Sequence, residues 1–175
     1  MRRTYKIILV IACLALVAVV AYQYLYWFQE GTNSQQRAPV TAQKEIIRIF
    51  SPVSKTKLGN RVLEVRSDIT DKERADLILK EMKKDKILGQ GVQLRDLAIG
   101  LDGVLYLNLS KNLADAQPEA RPDIMIVYSL VNSFASSFRD VNKVQLLLDG
   151  APAYTIGGVV YTYLPLAFNK DLMED

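Results

Sequence analysis

YSLVNSFASSFRDVNKVQLLLDG, residues 128–150, decides how the rest of the chain is read. Its first half continues a helical pattern that opens at Asp123. Ile124, Val127, Tyr128, Val131, Ala135 and Phe138 recur on one side at helical spacing. Ser129, Asn132, Ser133 and Ser136 recur at i, i+3, i+4 and i+7 and form a second stripe. A half-buried helix shows two such stripes, so the polar one is expected on solvent or against a sheet edge. Catalysis by one of these serines would need a base to activate it. The chain has no histidine, and no Ser-x-x-Lys occurs in this helix. In the second half, Val144, Leu146 and Leu148 share one face of a strand, and Asp149-Gly150 closes it with a turn.

The residues upstream also alternate between strand and helix. EIIRIFS (45–51) reads as a strand stopped by Pro52, SKTKLGN (54–60) as a polar loop, and RVLEVRS (61–67) as a short second strand. Thr70 and Glu73 form a capping box, and Ala75, Ile78, Leu79 and Met82 give the following helix an apolar face. Lys83, Lys84 and Lys86 near its end complement the helix dipole and read as a solvated terminus. GVQLRDLAIGLDGVLYLNLS (91–110) is a hairpin. A two-residue turn at Asp102-Gly103 would pair Leu101 with Val104, Ile99 with Tyr106 and Leu97 with Asn108. One face of this sheet should be covered by the helices. The tail from Ala151 onward offers a further short strand or loop packed by Tyr161, Tyr163 and Leu166.

Ahead of this body, residues 7–28 carry no charge. Twenty-two helical residues rise about 33 Å, enough to cross a bilayer core of about 30 Å. Arg2, Arg3 and Lys6 precede the run and predict a cytoplasmic N-terminus with the body exported. Tyr24, Tyr26 and Trp27 then fall at the outer interface, with Tyr22 and Phe28 beside them. The competing readings are a buried core helix, a lipoprotein signal ending at Cys13, and a cleaved secretory signal. The apolar run continues well beyond Cys13, and no small-x-small cleavage site follows a short apolar region. Residues 29–43 have linker composition. The organisation expected is therefore an anchor at 1–28, a linker at 29–43 and an extracytoplasmic domain at 44–175.

The formal charge of +3 equals the contribution of Arg2, Arg3 and Lys6, so the remainder of the chain is formally neutral. A nucleic-acid partner, which requires a basic face on the folded part, is not expected. The single cysteine allows neither an internal disulfide nor a zinc cluster. No cofactor motif is present, because Gly-x-Gly at 89–91 lacks the strand before it that a phosphate loop needs.

The succession LEVR, DGVLYLNLS, VYSLVNSF, VNKVQLLLDG and YTIGGVVYTYLPL resembles the GerMN domain of sporulation and spore-germination proteins. The resemblance spans about residues 45–168. Leu130, Val131, Asn132 and Ser133 take its helix motif, and Val141, Val144, Asp149 and Gly150 its strand motif. Asn108 stands where the family usually has aspartate, and Val159 where it often has histidine. The resemblance implies an α/β (α+β) domain, a small mixed sheet with two main covering helices, in which Asn132, Ser133, Asp149 and Gly150 are structural. It also implies a non-enzymatic role in complexes of the cell envelope or spore membrane.

The expected function is a single-pass, membrane-anchored interaction or assembly domain facing outward from the cytoplasmic membrane. Its expected partners are the membrane, an envelope protein and a second copy of the chain. Two alternatives compete with it. One is a cell-wall or small-ligand binding module stacking sugars on Tyr154, Tyr161 and Tyr163. The other is a hydrolase built on Asp96 and Asp115.

Overall fold

The computed structural model of the chain describes residues 44–115, 123–158 and 160–174, together with Val19 and Gln23. The chain divides into two units, Met1–Thr41 and Ala42–Asp175. In the first, Val19 and Gln23 are helical. The rest of the expected span, its flanking Arg2, Arg3, Lys6, Tyr24, Tyr26 and Trp27, and the linker lie outside the described residues. Among the described residues no helix is long and apolar enough to cross a membrane.

The second unit opens with an antiparallel hairpin of β1 (Lys44–Pro52) and β2 (Leu58–Arg66), with Ile47 opposite Leu63. The second strand starts at Leu58 rather than Arg61, so the expected polar loop shrinks to 53–57. The cause lies far away in sequence. Leu58 is buried, and its N–H donates to Leu172 O at 2.6 Å while its carbonyl accepts from Glu174 N at 3.0 Å.

Helix α1 (Asp71–Lys84) begins where the capping box placed it. The Thr70 hydroxyl accepts from Glu73 N at 3.2 Å, and the Glu73 carboxylate accepts from Thr70 N at 2.7 Å. Those bonds from the Thr70 amide and hydroxyl hold the Glu73 carboxyl below its ordinary pKa. Ala75, Ile78, Leu79 and Met82 are buried, as the apolar spacing required.

Strands β3 (Leu94–Ile99) and β4 (Val104–Leu109) form the expected hairpin, but one residue out of the expected register. Ile99 faces Leu105 and Leu97 faces Leu107, not Tyr106 and Asn108. The turn holds three residues rather than two. Gly100 N donates to Val104 O at 2.8 Å, and positive φ occurs at Gly103 but not at Asp102. A side chain at Gly103 would lie 2.8 Å from the Asp140 carbonyl oxygen, so glycine alone fits there. A one-residue slip exchanges the faces of a strand, and here it places Leu97 and Ile99 on the side of the fully buried Leu105 and Leu107.

After a short helix α2 (Asn112–Asp115), α3 (Asp123–Ser137) returns the chain to β5 (Lys143–Leu148), which lies parallel to β4. Asp149-Gly150 turns β5 into β6 (Ala151–Pro152). β7 (Thr155–Ile156) and β8 (Val160–Tyr161) make a separate ribbon, and β9 (Leu166–Ala167) pairs back onto β5. The mixed sheet therefore runs β3-β4-β5-β6 with β9 also on β5, while the β1–β2 hairpin stands apart from it. The core joins Leu105, Leu107, Val144 and Leu146 to Ile47, Ile49 and both long helices. Helix α3 is less one-sided than its spacing implied. Met125, Ile126, Leu130 and Phe134 are buried along with Val127 and Val131, which leaves little of the helix to solvent.

Candidate interaction surfaces

The polar stripe of α3 is not solvated. Ser129, Asn132 and Ser133 have no exposed surface at all. Ser133 Oγ accepts from Phe50 N at 2.9 Å, and Ser137 Oγ accepts from Arg48 N at 3.1 Å. Alternate amides of β1 point away from β2, and the helix supplies hydroxyls where a further strand would supply carbonyls. Of the two expected surroundings, the sheet edge is the one observed. Asn132 does a related job: its Oδ1 accepts from Asn169 N at 2.9 Å, and its Nδ2 donates to Asn169 O at 3.1 Å. The amide thus imitates a peptide group and fastens the C-terminal strap, residues 168–174, to the helix. Ser136 spends its hydroxyl on the Asn132 carbonyl, 2.7 Å away. Ser129 Oγ has no hydrogen-bond partner among the described residues.

Asp149 and Gly150 both take positive φ, the conformation of a two-residue hairpin turn. Asn108 Oδ1 accepts from Gly150 N at 2.8 Å, and Arg95 Nε donates to Asp149 Oδ1 at 3.1 Å. An aspartate at 108 could accept the same bond from Gly150, so asparagine preserves the turn. Val159 lies outside the described residues. Of the two carboxylates considered for hydrolysis, Asp96 accepts from Leu97 N at 2.8 Å, whereas the Asp115 side chain lies outside the described residues.

Two surfaces among the described residues offer candidate contacts. The first is the outer edge of β3. Among the described residues no strand pairs with it, and it runs beside α1. A groove of about 600 Å³ lies at one end, walled by Asp76, Leu79, Lys80, Lys83, Lys84 and Leu94. A second, of about 360 Å³, continues past Asp71 and Lys72 along the strand from Leu94 to Ile99. The two meet at Leu94. Lys72, Asp76, Lys80 and Lys83 recur every three or four residues, which sets them on one side of α1 facing the strand. The basic helix end expected to be merely solvated thus forms the wall of a groove. Sequence reasoning missed this site because the strand edge and the helix face each look ordinary until the fold sets them side by side.

The second surface is aromatic. Tyr154 and Tyr163 stack with ring centroids 4.6 Å apart, and Tyr161 lies 6.3 Å from Tyr163. The three are 69%, 40% and 53% exposed in the order Tyr154, Tyr163, Tyr161, which corrects the expectation that Tyr161 and Tyr163 pack the tail inward. Between them, Thr162 points the other way. It is fully buried, its hydroxyl donates to Ala153 O at 2.9 Å, and its carbonyl accepts from Gln145 Nε2 at 3.0 Å. Burial of Thr162, just past the end of β8, therefore turns its neighbours Tyr161 and Tyr163 outward.

The family model Germane, described as sporulation and spore germination, matches residues 24–154, well over half of the chain. The chain belongs to this family. The tandem GerMN domains of the sporulation protein GerM from Bacillus subtilis share its fold, with a TM-score of 0.55 and 12% identity over 80% of this chain and 51% of that one. The first GerMN domain of the same protein aligns with a TM-score of 0.47 and 17% identity, over 73% of this chain and 96% of that one. The chain spans about half the length of the tandem structure. No curated protein matches its sequence. The Germane match ends at residue 154, so it takes in β3, α1 and the α3 stripe but stops short of Tyr161, Tyr163 and the C-terminal strap.

Proposed function

We propose that this Germane-family chain is a membrane-anchored envelope protein whose domain 44–175 lies outside the cytoplasm and docks partner proteins without transforming them. The observation that carries the reading is the contrast between strand edges. The edge of β1 is sealed by Ser133 and Ser137, and β2 is held by the C-terminal strap only at Leu58, but neither strand borders the grooves described above, whereas the open edge of β3 lines both. Proteins commonly blunt an open edge, and one left available beside a helix suits recognition of another chain. The charge-free residues 7–28 behind Arg2, Arg3 and Lys6 support the anchor and its orientation. A photoreactive amino acid at Ala98, on β3, should give a discrete crosslinked product in intact cells. The same residue at Asn60, on β2, should give none. Equal labelling from both positions, or none from either, would overturn the reading.

A second reading rests on the exposed tyrosines, whose flat, polar-tipped rings suit the apolar faces of cell-wall sugars. Under it, isolated peptidoglycan should retain the protein, and Tyr154→Ala should release it. Retention unaffected by that substitution would remove the tyrosines from consideration.

A further inference from the structure

The β3 groove has a charge gradient as well as an open edge, and this identifies its occupant. At the Gln90 end, Lys80, Lys83 and Lys84 stand against the single acid Asp76. At the Ile99 end, Asp71 and Asp96 balance Lys72 and Arg95. The floor is apolar, formed by Leu79, Leu94 and Leu97. Arg95 forms a bulge in the strand, so regular pairing is offered only by Asp96–Ile99. Along that stretch Leu97 N–H turns away from β4 and is held by the Asp96 carboxylate at 2.8 Å. A self-made cap of this kind keeps an edge from pairing indiscriminately, and a partner carbonyl can replace it.

We infer that the groove takes an extended, acidic segment of a partner protein by strand addition to β3. The inference rests on the docking role proposed above and specifies its chemistry. Main-chain bonds to Leu97 and Ile99 hold the segment, and its alternate apolar side chains enter the groove over Leu94 and Leu97. Its acidic residues lie at the lysine end. Four to six residues, about 13 to 20 Å of extended chain, match the length of the strand. A second copy of this chain, added antiparallel, would offer Lys80, Lys83 and Lys84 only the mixed charges of its Ile99 end, so an acidic segment fits better.

The test uses the full-length protein in detergent micelles and fluorescent heptapeptides. Glu-Glu-Val-Thr-Val-Thr-Val should bind at least tenfold more tightly than Lys-Lys-Val-Thr-Val-Thr-Val, with the preference weakening as salt is added. The double variant Lys80→Glu, Lys83→Glu alters only groove-wall lysines and should reverse that preference. Methylating alternate peptide amides should lower affinity at least tenfold, because strand addition depends on them. Asp96→Ala, which frees Leu97 N–H, should raise affinity severalfold. Equal binding of both peptides, indifference to the lysine reversal, or indifference to amide methylation would each overturn the inference. Failure here alongside specific crosslinking from Ala98 would leave docking at β3 intact and reject the acidic strand as its occupant. Peptide binding as expected without any crosslink at Ala98 would leave the groove able to hold an acidic strand and reject its use in docking a partner in cells.

Discussion

Replacing Phe134 with alanine is expected to destabilise the domain by about 3–5 kcal/mol, the range for deleting a fully buried aromatic side chain. Among the described residues Phe134 is the largest side chain with no exposed surface, and its ring stacks on Phe138 at 5.8 Å with the planes 6° apart. It sits on α3 in the same core cluster as Leu105 and Leu107 from the sheet and Ile47 and Ile49 from the hairpin. Removing it opens a void that elements on several sides would have to move together to fill. Thermal unfolding should then shift down by more than about 10 °C for a domain of this size. Phe134→Leu retains most of the volume and should cost roughly 1–2 kcal/mol. If alanine and leucine destabilised the protein equally, lost ring stacking rather than the void would be the dominant effect.

The second large effect is expected at Asn132. Its side-chain amide makes paired bonds with the main chain of Asn169 and a weaker one from Nδ2 to Met173 Sδ at 3.7 Å, so Asn132→Ala deletes both strong hydrogen bonds and leaves a half-buried peptide group without them. The expected loss is about 2–3 kcal/mol, summing two bonds and the partial desolvation of the groups left behind. The strap should loosen first, giving earlier proteolytic clipping near the C-terminus than in the unmodified protein. Asn169→Ala is the informative control. The main-chain N–H and C=O that Asn132 binds survive that change, and among the described residues the Asn169 side chain accepts only from Asp171 N, at 3.0 Å. Its cost should stay under about 1 kcal/mol. Equal losses at the two positions would mean that the paired amide is not what fastens the strap.

The strap, the edge seal and the groove differ in how readily the sequence disclosed them, and the difference is one of range. The capping box at Thr70 and Glu73 was legible because both partners lie within one helical turn. Asp149-Gly150 was legible as a turn for the same reason, and both residues do take positive φ. The identical dipeptide at 102–103 misled. Asp102 Oδ1 accepts from Val104 N at 3.2 Å, and this local bond favours the three-residue turn that displaces the register. Two letters could not separate the two turns, because the choice depends on side-chain geometry and on how Gly103 meets the start of β5.

Serine and asparagine on α3 were visible as a stripe, yet their burial was not. Their partners, Arg48, Phe50 and Asn169, lie between 37 and 89 residues away. Polar residues that bond a distant backbone read in sequence like polar residues bonded to water. The tyrosines failed in the opposite sense, since aromatic residues in an apolar tail suggest a core and these face outward. Thr162, the small polar residue between Tyr161 and Tyr163, is the one buried, a parity that becomes visible only once the ribbon is placed.

One contact has a consequence in time. Leu58 belongs to the second strand of the domain, yet both its main-chain groups are satisfied by residues 172 and 174, which are synthesised more than a hundred residues later. Until they arrive, the early hairpin has an exposed flank and no closing lock. Pairings across more than a hundred residues are slow to form, and incomplete chains with unpaired strand flanks stick to one another. Assembly of this domain should therefore wait for residue 174 rather than proceed step by step, and a chain stalled or shortened before that residue should be recovered in aggregates instead of as a smaller folded piece.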